Sequence, residues 1–146
     1  HLSPVPPRLC VLSKSLDFDV NDAMFRQDIS SPIIITTQSP DAKWEDRVAA
    51  LSGESQVVVV SEMTGRSVIN VLTDMKLQSV VSVGGPYVQQ LLRVDQVIDE
   101  LDVTIAPVIS GTSTGTSPFG PIAGKLSPHA IARGNDHIYA RFFVES

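Results

Sequence analysis

Three short runs of β-branched residues constrain this 146-residue chain more than any other feature. PIIITT (residues 32–37), QVVVV (56–60) and SVVSV (79–83) each have the length of a sheet strand, and each is followed by helical periodicity rather than by a second strand. Strands separated by helices pair in parallel, and an unbroken apolar run such as QVVVV suits a parallel sheet covered on both faces. After the first run, Ser39 stands before Pro40, and Trp44, Val48 and Leu51 share one face. This spacing predicts a helix capped by Ser39, with Pro40 in its first position, running to about Leu51. After the second run, Val68, Val71, Leu72 and Met75 recur at helical spacing behind Thr64 and Gly65 as caps. Behind the third, which reads as a buried strand, Val88, Leu91 and Leu92 mark the inner face of another helix. A shorter strand, RLCVLS (8–13), comes first, and the mixed segment 16–31 reads as a loop.

The pattern changes near residue 100. Leu101, Val103 and Ile105 alternate with Asp102, Thr104 and Ala106, and HIYARFFV (137–144) is a second β run with no helical pattern between them. A helix-free connection predicts antiparallel pairing. Residues 110–128, rich in Gly, Ser, Thr and Pro, read as a mobile surface loop. With 42% hydrophobic residues and a mean hydropathy of +0.13, the chain can bury one substantial core, so residues 1–146 are expected to form a single domain. The expected fold class is α/β: three layers, mostly parallel, with antiparallel C-terminal strands.

A net charge of −5 spread over interspersed acids leaves no basic footprint for nucleic acid or an anionic membrane. The expected partner is a small molecule or a protein. The single cysteine, Cys10, lies in an apolar run and reads as a buried structural thiol in a reducing compartment. No apolar run approaches the roughly 20 residues that cross a bilayer, and the first residues lack a signal-peptide layout, so a cytoplasmic, non-membrane protein is expected.

Gly84, Gly85 and Pro86 join the third β run directly to its helix. Two residue-level readings stay open here. Bare backbone at a helix start, with free amides and a partial positive charge, suits a phosphate; equally, a glycine pair can serve close packing in a tight turn with no ligand. Other signatures fail. No G-x-G-x-x-G follows a strand, and GPIAGK (120–125) has three residues between its glycines, with Leu126 where a P-loop has Ser or Thr. No G-x-S-x-G elbow occurs, and His1, His129 and His137 are too scattered for a zinc pattern. Asp99 and Glu100 would point to opposite faces of a strand, which reads as a solvated strand entrance or a tie to a neighbouring loop or subunit. No general acid or base is singled out.

Residues 83–111, VGGPYVQQLLRVDQVIDELDVTIAPVISG, carry Gly-Gly-Pro, Leu-Leu (Leu91, Leu92), Asp-Glu-Leu (Asp99 to Leu101) and Thr-x-Ala-Pro-x-x-x-Gly (Thr104, Ala106, Pro107, Gly111) in order. This succession resembles the reductase domain of riboflavin biosynthesis, the dihydrofolate-reductase-like family also found fused to pyrimidine deaminases. Residues 6–25 and PIIITT resemble the middle of the same family, particularly its stand-alone pyrimidine-reductase-like members. Two departures stand out. Val83 occupies the place of the family's usual Glu, and the family's N-terminal Ser-Leu-Asp-Gly strand and Gly-x-x-Thr segment are not found. Ser15, Leu16 and Asp17 are no substitute, because Phe18 follows where the glycine belongs. The resemblance therefore implies the C-terminal portion of a reductase.

It further implies hydride transfer from NADPH to a pyrimidine ribosyl phosphate, and a homodimer. Gly84, Gly85 and Pro86 would seat the cofactor diphosphate, and Ser13, Lys14 and Ser15 would lie near the adenosine ribose and its 2′-phosphate. Thr36 would edge the adenine. A nucleotide-binding or dimerisation module of the same fold without catalysis is the alternative.

Overall fold

The β-branched run at residues 32–37 forms the buried centre of a parallel sheet. In the computed structural model, which describes residues 6–26, 30–108, 125–134 and 136–145, strand β2 (Ile33–Thr37) lies between β1 (Cys10–Leu12) and β3 (Gln56–Val60). Cys10 faces Ile33 and Ile35 faces Val58 in parallel register. Ile33, Ile34 and Ile35 have no exposed surface, as β-branched side chains on a central strand should. The QVVVV run is a strand as expected, but it ends the sheet among the described residues and is covered only in part. Val59 is 48% exposed.

The described residues fall into two compact units, His1–Met63 with Asn70–Lys76, and Thr64–Ile69 with Leu77–Ser146. In the first, helix α1 (Trp44–Leu51) turns Trp44 and Leu51 into a cluster with Leu16, Phe25 and Ile34, and Val48 packs against it. Burying a side chain such as Leu51 contributes about 1.5–3 kcal/mol. The 16–31 segment, expected to be only a loop, supplies Leu16 and Phe25 to that core, the latter from a 3₁₀ turn at Ala23–Phe25.

Helix α1 also starts later than its sequence signature suggests. Ser39 Oγ accepts the amide of Asp41 at 3.3 Å, and Asp41 Oδ1 accepts that of Lys43 at 3.0 Å. The capping residues are thus used in two successive turns ahead of the helix.

Helix α2 (Gly65–Asp74) follows Thr64, which forms a reciprocal cap: Ser67 N donates to Thr64 Oγ1 at 3.0 Å and Thr64 N to Ser67 Oγ at 3.1 Å. Val68 and Leu72 are buried, as their spacing requires.

The second unit also holds helix α3 (Pro86–Val94) and an antiparallel sheet of β4 (Glu100–Ile105), β5 (Lys125–Gly134) and β6 (His137–Glu145), in the order β4-β6-β5. A side chain at Gly65 would meet Leu91 O at 2.7 Å and Leu92 Cα at 2.9 Å, so glycine is what lets α2 begin against α3. Asp95, just past α3, accepts the amide of Arg66 at 2.9 Å, placing a carboxylate at the positive end of α2.

Two expectations fail in this unit. Residues 79–83 form no strand: Val81 is 84% and Val83 93% exposed, because no strand among the described residues pairs with them. The loop expected over 110–128 ends at least four residues early, since Lys125 opens β5. Pro128 is tolerated there because β5 is an outer strand with a register shift between Pro128 and Ala130. The rest of that segment, with Gly111, most of GPIAGK and His1, lies outside the described residues.

Candidate functional site

β1 delivers the first group of expected contacts. Ser13 extends the ladder by donating its amide to Ile35 O at 3.1 Å, and the chain then turns sharply. Within the turn, Leu16 N donates to Ser13 Oγ at 3.1 Å and Asp17 N to Ser15 Oγ at 3.4 Å. Each hydroxyl is thereby fixed as an acceptor with its own hydrogen left to donate. Leu16 sits at φ 54°, a left-handed conformation that costs a leucine about 1–3 kcal/mol. Its side chain, 2% exposed in the core, offsets that cost. Lys14 and Ser15 are exposed and Ser13 is partly so.

Thr36 does not join them. It has no exposed surface, and its hydroxyl donates to Thr37 O at 3.3 Å, so its side chain cannot edge an adenine in this conformation. A strand-end position in the sequence did not reveal that β2 is covered through Thr36.

The glycine turn belongs to the second unit, and its two glycines differ. At Gly84 a Cβ would stand 2.7 Å from Val88 Cβ and 2.9 Å from Val88 Cγ1, so bare backbone there is a packing requirement. Gly85 is the N-cap of α3, with ordinary extended backbone (φ −70°, ψ −175°), and a Cβ on it would meet nothing within 4 Å. Pro86 occupies the first helical turn as expected, and the first helical bond runs from Gln89 N to Gly85 O at 3.1 Å. An unobstructed N-cap at the positive end of a nine-residue helix fits an anion such as a diphosphate. Three residues before this N-cap, Ser82 Oγ is buried with no hydrogen-bond partner among the described residues.

Sequence reasoning gave no functional role to Asp102 or Arg141 on the antiparallel sheet's polar face. Arg141 donates to both Asp102 oxygens, at 2.8 and 2.9 Å, and lies 3.3 Å from Glu100. The Arg141 hydrogen bond holds the Asp102 carboxyl below its usual range. Beside this pair is a shallow hollow of about 350 Å³ floored by Ala130 and Ala132 and bounded by Tyr139. Its one cation is already matched by carboxylates, which gives an anionic ligand little purchase.

Burial pushes the half-buried Cys10 thiol up, against a smaller opposing effect of Arg8, in keeping with a structural thiol. His129 lies tilted against Phe143 and His137 stacks on Tyr139, and no metal-binding cluster occurs among the described residues. No described helix is long and apolar enough to cross a membrane.

The described residues are mixed α/β, with a parallel and an antiparallel three-stranded sheet and a Gly-Gly-Pro helix start. Residues 3–129 match the RibD C-terminal domain, and the chain belongs to that family. Among solved structures it is similar to a pyrimidine reductase-like protein from Corynebacterium diphtheriae, with 27% identity and a TM-score of 0.83 over 96% of this chain and 62% of that one. It also shares its fold with Acinetobacter baumannii RibD (11% identity, TM-score 0.75, 99% of this chain and 41% of that one). The Saccharomyces cerevisiae riboflavin biosynthesis reductase Rib7 is a further match (17%, 0.72, 96% and 70%). The chain thus spans less than two thirds of the C. diphtheriae protein's length. No curated protein sequence gives a significant match.

Proposed function

We propose that the protein acts in riboflavin biosynthesis as an NADPH-dependent reductase of a ribosylaminopyrimidine phosphate, converting its ribose to a ribityl chain. Family membership supports the reaction class, and the observation that carries the cofactor reading is Gly85, an N-cap with open space where a side chain would be. In this reading Gly85 and the start of α3 hold the diphosphate. Gly84 lets the turn close against Val88, and Pro86 starts the helix without removing a needed donor. Ser13, Lys14 and Ser15 take the 2′-phosphate, for which hydroxyl donors and an ammonium are suited. The bound nicotinamide supplies the hydride, and the protein's task is to orient it and exclude water. Homodimerisation is part of the proposal, since among the described residues β4 and β5 end their sheet on outer edges that favour pairing, and so is a cytoplasmic location.

One observation favours a second reading, nucleotide binding without catalysis: Val83, 93% exposed, stands where the family carries Glu. NADPH oxidation separates the two. Substrate-dependent oxidation with a ribosylaminopyrimidine phosphate supports the reductase; NADPH binding without turnover supports the binding module; absence of both defeats the nucleotide reading.

A further inference from the structure

Arg47 lies on α1, half-buried, 32 residues from the turn that leaves β1. Its Nη1 donates to Ser15 O at 2.9 Å and to Asp41 Oδ2 at 2.9 Å. The Ser15 carbonyl belongs to a segment already tied at both ends. Ser13 N is bonded to Ile35 O on one side, and Leu16 is anchored in the core in a left-handed conformation on the other. Between these anchors that carbonyl accepts from a planar guanidinium, which also pairs with a carboxylate.

We propose that Arg47, itself oriented by Asp41, is the positioning residue that fixes the 13–15 turn and so presents Lys14, Ser13 and Ser15 in one arrangement to a phosphomonoester, the 2′-phosphate of NADPH. This rests on the nucleotide reading above. The bond to Ser15 O sets the peptide plane between Ser15 and Leu16, and the two serine hydroxyls accept from the amides of Leu16 and Asp17 in the same turn. Losing the clamp frees the Lys14–Ser15 backbone while leaving the Leu16 anchor and the sheet intact. The effect should therefore discriminate between nucleotides with and without the 2′-phosphate, which a general loss of stability would not do.

The test compares wild type, Arg47→Ala, Arg47→Lys and Asp41→Asn in two measurements. Hydrogen–deuterium exchange of the ligand-free protein reads the turn directly. Arg47→Ala should speed exchange over residues 13–18 about fivefold or more, with little change in β2 or α1. Fluorescence titration with NADPH and NADH reads the ligand. Arg47→Ala should weaken NADPH roughly tenfold and NADH less than twofold, with partial rescue by Arg47→Lys, which keeps a donor, and an intermediate loss for Asp41→Asn. Unchanged exchange over 13–18 overturns the clamp. Equal weakening of both nucleotides overturns its link to the phosphate. A loosened turn in Arg47→Ala, together with wild-type protein that does not prefer NADPH over NADH, overturns the 2′-phosphate assignment and leaves the clamp standing.

Discussion

The two glycines of the 84–86 turn, identical in sequence, should respond oppositely to substitution. In Gly84→Ala the new methyl is built 2.7, 2.9 and 3.0 Å from the Val88 side chain, and Val88 is held on the first turn of α3. Overpacking of this kind costs about 1–3 kcal/mol. For a chain of this size each kcal/mol lowers Tm by roughly 3 °C, giving a fall of about 3–9 °C. In Gly85→Asp the new side chain meets nothing within 4 Å, and the backbone angles suit any residue. Aspartate is a better N-cap than glycine by a few tenths of a kcal/mol, and loss of unfolded-state freedom adds roughly 0.4–1 kcal/mol. Its Tm should therefore hold or rise by about 2–4 °C. The same carboxylate, set about 4 Å from a bound diphosphate, opposes it by roughly 1–4 kcal/mol between aqueous and near-surface dielectric limits, or about 5- to 1,000-fold in Kd. Thermal denaturation and NADPH titration of both variants check this. Gly85→Asp with wild-type NADPH affinity would refute the diphosphate seat, and Gly84→Ala with unchanged Tm would refute the packing account.

Other outcomes follow from the same geometry. Leu51→Ala, at 2% exposure in the α1 core, should cost about 2–5 kcal/mol by chemical denaturation, whereas Val81→Ser and Val83→Ser should each stay within about 0.5 kcal/mol. A large loss at Val83 would mean that residues 79–83 are covered after all. Thr64→Ala should cost about 1 kcal/mol through loss of the α2 cap. Asp102 has a folded-state pKa depressed by Arg141, so its contribution is fully present above the ordinary aspartate range and lost as pH falls through the depressed value. An NMR titration should find Asp102 protonating below that range in wild type and within it in Arg141→Gln; no difference would contradict the pairing.

What the sequence made legible was local. The isoleucines of β2, the apolar faces of α1, α2 and α3, and Pro86 at a helix start all follow from side-chain type and spacing, which the structure then uses as written. The errors share a cause, dependence on distant partners. SVVSV has strand propensity, but a strand needs a neighbour, and Val81 and Val83 have none among the described residues. β5 hid behind Pro128, which an outer strand tolerates at its register shift. Of the candidate site, Gly85 and the exposed Lys14 and Ser15 were legible, while the burial of Thr36 and the packing demand at Gly84 depend on tertiary contacts. Arg47 was invisible for the same reason, since its carbonyl partner lies 32 residues away and no periodicity links them.

The most direct measurement of the central claim is an amide-resolved NMR titration of the protein with NADPH. The account predicts saturable shifts concentrated at Ser13, Lys14 and Ser15 and at Gly85 to Val88, with the shifts at 13–15 reduced when NADH replaces NADPH. No saturable shifts, or shifts centred on the Asp102–Arg141 face of the antiparallel sheet, would contradict it.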